Sequence, residues 1–326
     1  MDKKQMAAIF AHAEKISKKQ GEGAMFDLGS KKSCAGVKRW STGLQGLDDA
    51  LGGGMPKGRM VELGGPPQAG KTSLAYHLCA QHPVSLFIPA EGTFDAPRAG
   101  VFGNKPKQML VYRDCKYAED IMGKILEFSK LGVPLIVIDS VPGMVCKAEY
   151  DLLAKDPLKQ PQYGQLSRLF GRTLKQIEDA IEISGTTVVW INQVRANMNS
   201  GPFGDPYKSP GGYMFEHAMS VKIRVMRRSW ITITNYNPAS SAKTARVGIL
   251  SKIKVIKSKI CNPYEEREFP LIFDTGYISH DDLDVHRKRL MAEGKALYKG
   301  KKVKEEDPEE DWDKEDDEGS WEDDDD

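Results

Sequence analysis

Eight residues, Gly65-Pro66-Pro67-Gln68-Ala69-Gly70-Lys71-Thr72, restrict this chain more than any other stretch. They fit Gly-x-x-x-x-Gly-Lys-Thr, a loop that holds nucleotide phosphates only when a strand leads into it and a helix leaves it. Both flanks are present. Arg59-Met60-Val61-Glu62-Leu63 has the apolar character of a short buried strand, and Ser73-Leu74-Ala75-Tyr76-His77-Leu78 opens a helix. Glycines let the backbone curl, consecutive N–H groups and the helix N-terminus then face the phosphates, Lys71 reaches the β and γ oxygens, and Thr72 can ligate Mg²⁺. The expected contact set for ATP is therefore Gly65, Pro66, Pro67, Gln68, Ala69, Gly70, Lys71, Thr72 and Ser73.

Three further strand-like runs end in residues suited to that chemistry. Residues 84–90 are apolar and are followed by Glu91. In an open α/β sheet reactive groups sit beyond the carboxyl ends of strands, so Glu91 can activate the attacking water. Pro134-Leu135-Ile136-Val137-Ile138 leads into Asp139, a carboxylate placed to support Mg²⁺. Residues 186–193 end in Asn192 and Gln193, and the Gln193 amide can sense the γ-phosphate.

The rest of the chain is organised around this core. Met6, Ile9, Phe10, Ala13 and Ile16 recur at helical spacing within residues 3–20, an amphipathic arm that ends at Gly21-Glu22-Gly23. A short strand is expected at 24–29, a capped turn and helix at 40–48, and a helix at 118–131. Residues 147–164 have no clear period and read as a loop. A helix carrying Leu166, Leu169, Leu174 and Ile177 follows, with strands at 219–227, 246–257 and 268–273 and a short basic appendage at 276–304.

Residues 195–212 form a long Gly/Pro-rich stretch, and long loops inside compact domains usually carry function. Arg195 and Lys208 interleave with Phe203 and Tyr207, a composition suited to single-stranded nucleic acid.

Charge points the same way. The net charge of the 326 residues is +1, but residues 305–326 hold 16 Asp/Glu against Lys314, a net of −15, which leaves +16 on residues 1–304. A basic body suits a polyanionic partner, and the acidic run reads as a disordered tail able to compete for the same surface. Five scattered cysteines without C-x-x-C spacing argue against a disulfide framework or zinc site. No apolar run is long enough to span a membrane and the polar N-terminus does not resemble a signal peptide, so a cytoplasmic protein without membrane contact is expected.

Taken in order, the motifs resemble those of the RecA-family homologous recombinases over roughly residues 3–278. The resemblance is carried by Ser41-Thr42-Gly43, the phosphate loop, Ala90-Glu91, Val137-Ile138-Asp139-Ser140-Val141, Lys147-Ala148-Glu149, Ile191-Asn192-Gln193-Val194-Arg195, Phe203-Gly204-Asp205-Pro206, Gly211-Gly212 and Val255-Ile256-Lys257-Ser258-Lys259-Ile260. It implies an α/β fold: a RecA-like P-loop ATPase core whose mostly parallel central sheet is flanked by helices. An N-terminal docking helix and strand (1–36), the core (37–275), a short C-terminal appendage (276–304) and the acidic tail (305–326) would be its parts. It implies ATP and Mg²⁺ as cofactors, and as partners single-stranded DNA, double-stranded DNA, further copies of the chain in a helical filament, and single-strand-binding and loader proteins.

Carried across residue by residue, Lys71 and Thr72 would bind phosphates and Mg²⁺, Glu91 would activate water, Asp139 would support the metal, and Gln193 would couple the γ-phosphate to the DNA loop. Lys257 and Lys259 would reach the adjacent subunit's ATP. Asp95 and Arg98 would flank the base, Arg98 standing where relatives often place an aromatic ring. The DNA-binding set would be Arg168, Arg172, Arg195, Asn197, Met198, Phe203, Lys208, Gly211 and Gly212. Pro67 replaces a common Glu, and His217 stands where bacterial members usually carry Phe. Two rivals share the core: a ring-forming helicase-type motor, and a non-hydrolytic ATP-gated accessory or mediator.

Overall fold

Strands without a polar face must be covered on both sides. The computed structural model, which describes residues 2–20, 36–156, 158, 164–197, 206–234 and 244–298, has that arrangement. Contacts divide the chain into two units, residues 1–231 with 246–283, and residues 232–245 with 284–326.

In the first unit the chain runs through α1 (Lys3–Gln20), β1 (Arg39–Trp40), α2 (Gln45–Ala50), β2 (Met55–Pro56), β3 (Met60–Gly65), α3 (Lys71–Ala80), β4 (Ser85–Pro89), α4 (Ala96–Val101), β5 (Met109–Val111), α5 (Ala118–Lys130) and β6 (Leu135–Asp139). It continues through α6 (Lys147–Lys155), α7 (Gln165–Ser184), β7 (Thr187–Gln193), β8 (Arg195–Ala196), β9 (Tyr207–Lys208), α8 (Gly212–Ala218), β10 (Val221–Thr234), β11 (Thr244–Ser258), β12 (Glu266–Ile272) and β13 (Gly276–Tyr277). The outer ends of β10 and β11 belong to the second unit, as does most of α9 (Leu283–Tyr298).

Among the described residues the main sheet has nine strands in the order β13-β12-β11-β10-β3-β7-β6-β4-β5. From β10 to β5 every neighbouring pair is parallel, whereas β11, β12 and β13 pair antiparallel. The fold is therefore α/β with a mostly parallel sheet, as the sequence leads one to expect. Because side chains alternate along a strand, each strand feeds two cores. Val61, Leu63, Val137, Val189 and Ile191 pack with Leu74, Leu78 and Leu47 from α3 and α2. Ile136, Ile138, Val188 and Trp190 pack with Ile125 of α5, Phe170, Ile177 and Ile181 of α7, and Phe215 of α8.

Helix α7 has a clear apolar face, with Phe170, Leu174, Ile177 and Ile181 all buried. It stops at Gly185, whose left-handed φ of 78° lets its amide bond back to the Ile181 carbonyl at 2.8 Å.

Two expectations need correction. Residues 147–155 are helix α6 rather than loop; none of its side chains is buried, so no apolar period marks it, and Ala, Leu, Glu and Lys supply helix propensity instead. Strand β10 extends past the expected 219–227 because alternation continues through Ile231 and Ile233, both buried, and β11 begins two residues before the expected 246–257 and ends one after it. The appendage contains the helix α9. The strand expected at 24–29 lies outside the described residues.

Candidate functional site

The carboxyl ends of β3, β4, β6 and β7 open on one cleft of about 470 Å³ lined by Pro67 to Ser73, Glu91, Asp139, Ser140 and Gln193. That volume is within the range of small-ligand sites. At the end of β3 a Cβ on Gly65 would lie 2.1 Å from the Val225 carbonyl of β10, so only glycine lets the chain turn there. Gly70 caps α3 at φ 91°, another conformation that glycine adopts without strain. The loop then enters α3 directly, and the first-turn N–H groups of that helix have no intrahelical acceptor. Lys71 is buried, and its Nζ donates to the Gly65 carbonyl at 3.0 Å and the Pro66 carbonyl at 2.6 Å, lying along the loop it would share with phosphate.

The acids converge on the same point. Thr72 Oγ1 donates to Asp139 Oδ2 at 2.8 Å, and the Glu91 amide donates to the Asp139 carbonyl at 3.2 Å. Glu91 Oε1 accepts from Gln193 Nε2 at 3.0 Å and from the Ser140 hydroxyl. Burial raises the Asp139 carboxyl to about 6, with the nearby Glu91 charge adding to the shift and the Thr72 hydroxyl and Lys71 opposing it. Burial lowers the Lys71 ammonium from its ordinary value, against the pull of Asp139 and Glu91. An anionic ligand carrying a divalent cation relieves both strains. Thr72 and Asp139 are an oxygen donor pair of the kind Mg²⁺ takes when phosphate and water complete its shell. Among the described residues no cluster of three or more His, Cys, Asp or Glu could hold a metal.

The far wall of the cleft is apolar, with Trp230, Ile249, Leu271 and Phe273. A neighbouring depression is lined by Tyr76, Phe94, Asp95 and Arg98. The Asp95 carboxylate caps α4 by accepting from the Arg98 amide at 3.0 Å. The Arg98 guanidinium bonds to the Phe273 carbonyl and lies 5.1 Å from the Phe102 ring and 5.9 Å from the Phe273 ring. Its guanidinium is thus held beside two aromatic rings at the edge of this depression. Sequence reasoning missed Ser140, Trp230 and Phe273. Ser140 and Phe273 carried a signal, since each directly follows a strand end; Trp230 carried none.

The remaining candidates lie elsewhere. Arg195 and Lys208 face each other across the β8–β9 pair, both exposed, and the Asn197 amide donates to the Pro206 carbonyl at 2.8 Å. Arg168 and Arg172 are exposed one turn apart on α7. Gly211 and Gly212 have φ of 116° and 80°, and Cβ atoms there would come within 2.8 Å of the Phe215 ring and 2.5 Å of Ser167 Oγ. They seat α8 against α7, a packing role beyond the expected DNA contact. Tyr207, a candidate base platform, is half-buried with the Arg224 guanidinium 4.9 Å from its ring centroid. Met198 and Phe203 lie outside the described residues. Lys257 and Lys259 are not among the residues lining the cleft; their ammonium groups donate to the Glu216 and His217 carbonyls of α8 at 2.6 and 2.7 Å.

Residues 7–278 match the family described as the RecA N-terminal domain. The chain belongs to the RecA family. It is 32% identical over 283 residues to the protein RecA of Helicobacter acinonychis, covering 85% of this chain and 77% of that one. It is 29% identical over 313 residues to the protein RecA of Campylobacter hominis, covering 93% and 86%, and 31% identical over 291 residues to that of Wolinella succinogenes, covering 87% and 78%. Family membership places the chain among ATP- and DNA-binding proteins of recombination and repair. Within the RecA match, the His217 ring packs tilted against Tyr213, with ring centroids 4.0 Å apart and planes 55° from parallel. No helix among the described residues is long and apolar enough to cross a membrane.

Proposed function

We propose that this chain is an ATP-dependent recombinase that polymerises on single-stranded DNA, hydrolyses ATP at the interfaces between subunits, and pairs the bound strand with a homologous duplex. The observation that carries the proposal is the bond from Gln193 Nε2 to Glu91 Oε1 at 3.0 Å, two residues before Arg195. It joins the water-activating carboxylate to the first basic residue of the loop read as the DNA contact.

In this reading Lys71 and the amides of the loop and first turn of α3 hold the phosphates, while Thr72 and Asp139 orient the cation's face of the site. Bound Mg²⁺ would supply charge neutralisation on the phosphate oxygens. Glu91 accepts the proton of the attacking water, and the Gln193 and Ser140 donors orient its carboxylate. Arg98 and Phe273 flank the base. A second subunit completes the site: Lys257 and Lys259, at the end of β11, would leave the α8 carbonyls and reach the neighbour's phosphates. The exposed Met6, Ile9 and Phe10 of α1 form the apolar stripe with which the arm would dock on an adjacent copy.

Electron microscopy with single-stranded DNA and a non-hydrolysable ATP analogue tests the proposal. Helical filaments are the expected result. Closed rings would support the motor reading, and filaments with no DNA-stimulated ATP hydrolysis in a parallel assay would support the ATP-gated accessory reading; either overturns the recombinase.

A further inference from the structure

Four buried polar side chains behind the phosphate loop take no part in the chemistry above. Glu62 of β3 is 1% exposed, Asn192 of β7 0%, and Lys222 and Arg224 of β10 6% and 3%. Parallel pairing sets Lys222 beside Glu62, and Arg224 and Asn192 on either side of Gly64. The missing side chain at Gly64 makes the space between them: a Cβ there would lie 3.6 Å from Glu62 Oε1 and 3.9 Å from Arg224 Nε.

Buried charges and amides are costly unless paired, and apolar residues would fill the same space at lower cost. What these four touch is informative. Asn192 Nδ2 donates to Glu62 Oε1 at 3.0 Å and to the Pro210 carbonyl at 2.9 Å. Lys222 Nζ stands 3.4 Å from Glu62 Oε2 and donates to Glu216 Oε1 at 2.9 Å. The Arg224 guanidinium covers the Tyr207 ring. Tyr207, Pro210 and Glu216 all lie on the chain returning from residues 195–212, in β9, the turn after it and α8. The outgoing leg is tied to the same strand, because the Val194 amide donates to the Gly65 carbonyl at 3.3 Å.

We propose that Glu62, Asn192, Lys222 and Arg224 are positioning residues that hold the returning leg of loop 195–212 in register with the phosphate-loop strand. They present Arg195 and Lys208 to DNA in one arrangement and pass DNA contact back to Gly65. The loop's role as a DNA contact rests on the function proposed above; the anchoring does not.

Two measurements on the full chain test this with separate failures. The first is amide hydrogen exchange at Asn197, whose N–H bonds across the stem to Pro206. Arg224→Met and Tyr207→Leu should exchange about tenfold faster there while β3 and β6 amides stay as protected as in the parent. Tyr207→Phe, which keeps the ring, should match the parent. If Arg224→Met does not fold, Tyr207→Leu decides, since that side chain is only half-buried. Parent-like exchange in the folded variants overturns the anchoring. The second is ATP hydrolysis against single-stranded DNA concentration. Arg224→Met should need about tenfold more DNA for half-stimulation with its DNA-free rate within about twofold of the parent, and an unchanged half-stimulating concentration overturns the coupling. A parent without DNA stimulation would refute the function proposed above, and the exchange data would still decide the anchoring.

Discussion

Gln193 Nε2 lies 3.0 Å from Glu91 Oε1, so a residue at the mouth of the loop 195–212 and a carboxylate over the phosphate cleft share one hydrogen bond. Glu91→Gln leaves the phosphate cradle intact but cannot accept a proton. It should keep nucleotide affinity within about threefold and slow DNA-stimulated hydrolysis by about 10² or more, leaving DNA complexes that persist. Lys71→Ala should instead lose nucleotide binding. A fluorescent-nucleotide titration beside a DNA-stimulated ATPase assay separates the two, and normal turnover by Glu91→Gln would remove the carboxylate from the mechanism.

The Asp139 carboxyl, raised to about 6 by burial, gives the site a pH signature. Cation binding requires the ionised form, so protons and Mg²⁺ compete. Near pH 6 the free protein holds on the order of half a proton at Asp139, which Mg²⁺-nucleotide should expel; near pH 8 the group is already ionised and that release should vanish. Mg²⁺-dependent affinity should therefore fall as pH drops through about 6. Calorimetry in two buffers of different ionisation enthalpy measures the release, and Asp139→Asn should lack the component. Equal release at both pH values would contradict the assignment.

Lys257 and Lys259 rest on the C-terminal end of α8 through the Glu216 and His217 carbonyls. If their work is done in a neighbour's site, Lys257→Ala/Lys259→Ala should abolish ATP-dependent assembly and DNA-stimulated hydrolysis. Partly exposed charges contribute little to stability, so unfolding free energy should change by only about 1 kcal/mol. Light scattering with a urea melt checks both, and full activity of the double variant would place ATP hydrolysis within one subunit.

Residues 305–326, net −15, are tethered to a remainder of +16. As an internal polyanion they should compete with phosphates, so truncation after Lys304 should raise duplex affinity at low salt, with the gain shrinking as ionic strength rises. Mg²⁺ should mimic truncation. Duplex titrations of both proteins across a salt series decide it, and superimposed curves would leave the tail a role in solubility alone.

The sequence made the phosphate loop legible because its chemistry demands glycines at set intervals and a strand and helix on either side, and β3 and α3 occupy those places. Asp139 and Glu91 were legible for a related reason: a fully apolar run that stops at an acid marks a strand's carboxyl end. Helix α6 was hidden because it buries nothing and so leaves no period. The Trp230 wall was hidden because β10 outruns the expected strand, and no local pattern says which side of such an extension faces a cleft. Lys222 and Arg224 were hidden for a different reason: a charged residue inside a strand reads as solvent-facing until the neighbouring strands are known.

Trp230 has a practical consequence. Its indole lines the cleft with the Arg227 and Arg246 guanidinium groups 4.2 and 4.8 Å from the ring, whereas Trp190 is sealed in the opposite core. The emission of an indole flanked by cations depends on what solvates and stacks beside it. Nucleotide entering the cleft should therefore change the emission of Trp230, so that occupancy is followed with unlabelled nucleotide and Trp230→Phe supplies the blank; an emission change of the same size in Trp230→Phe would assign the signal elsewhere.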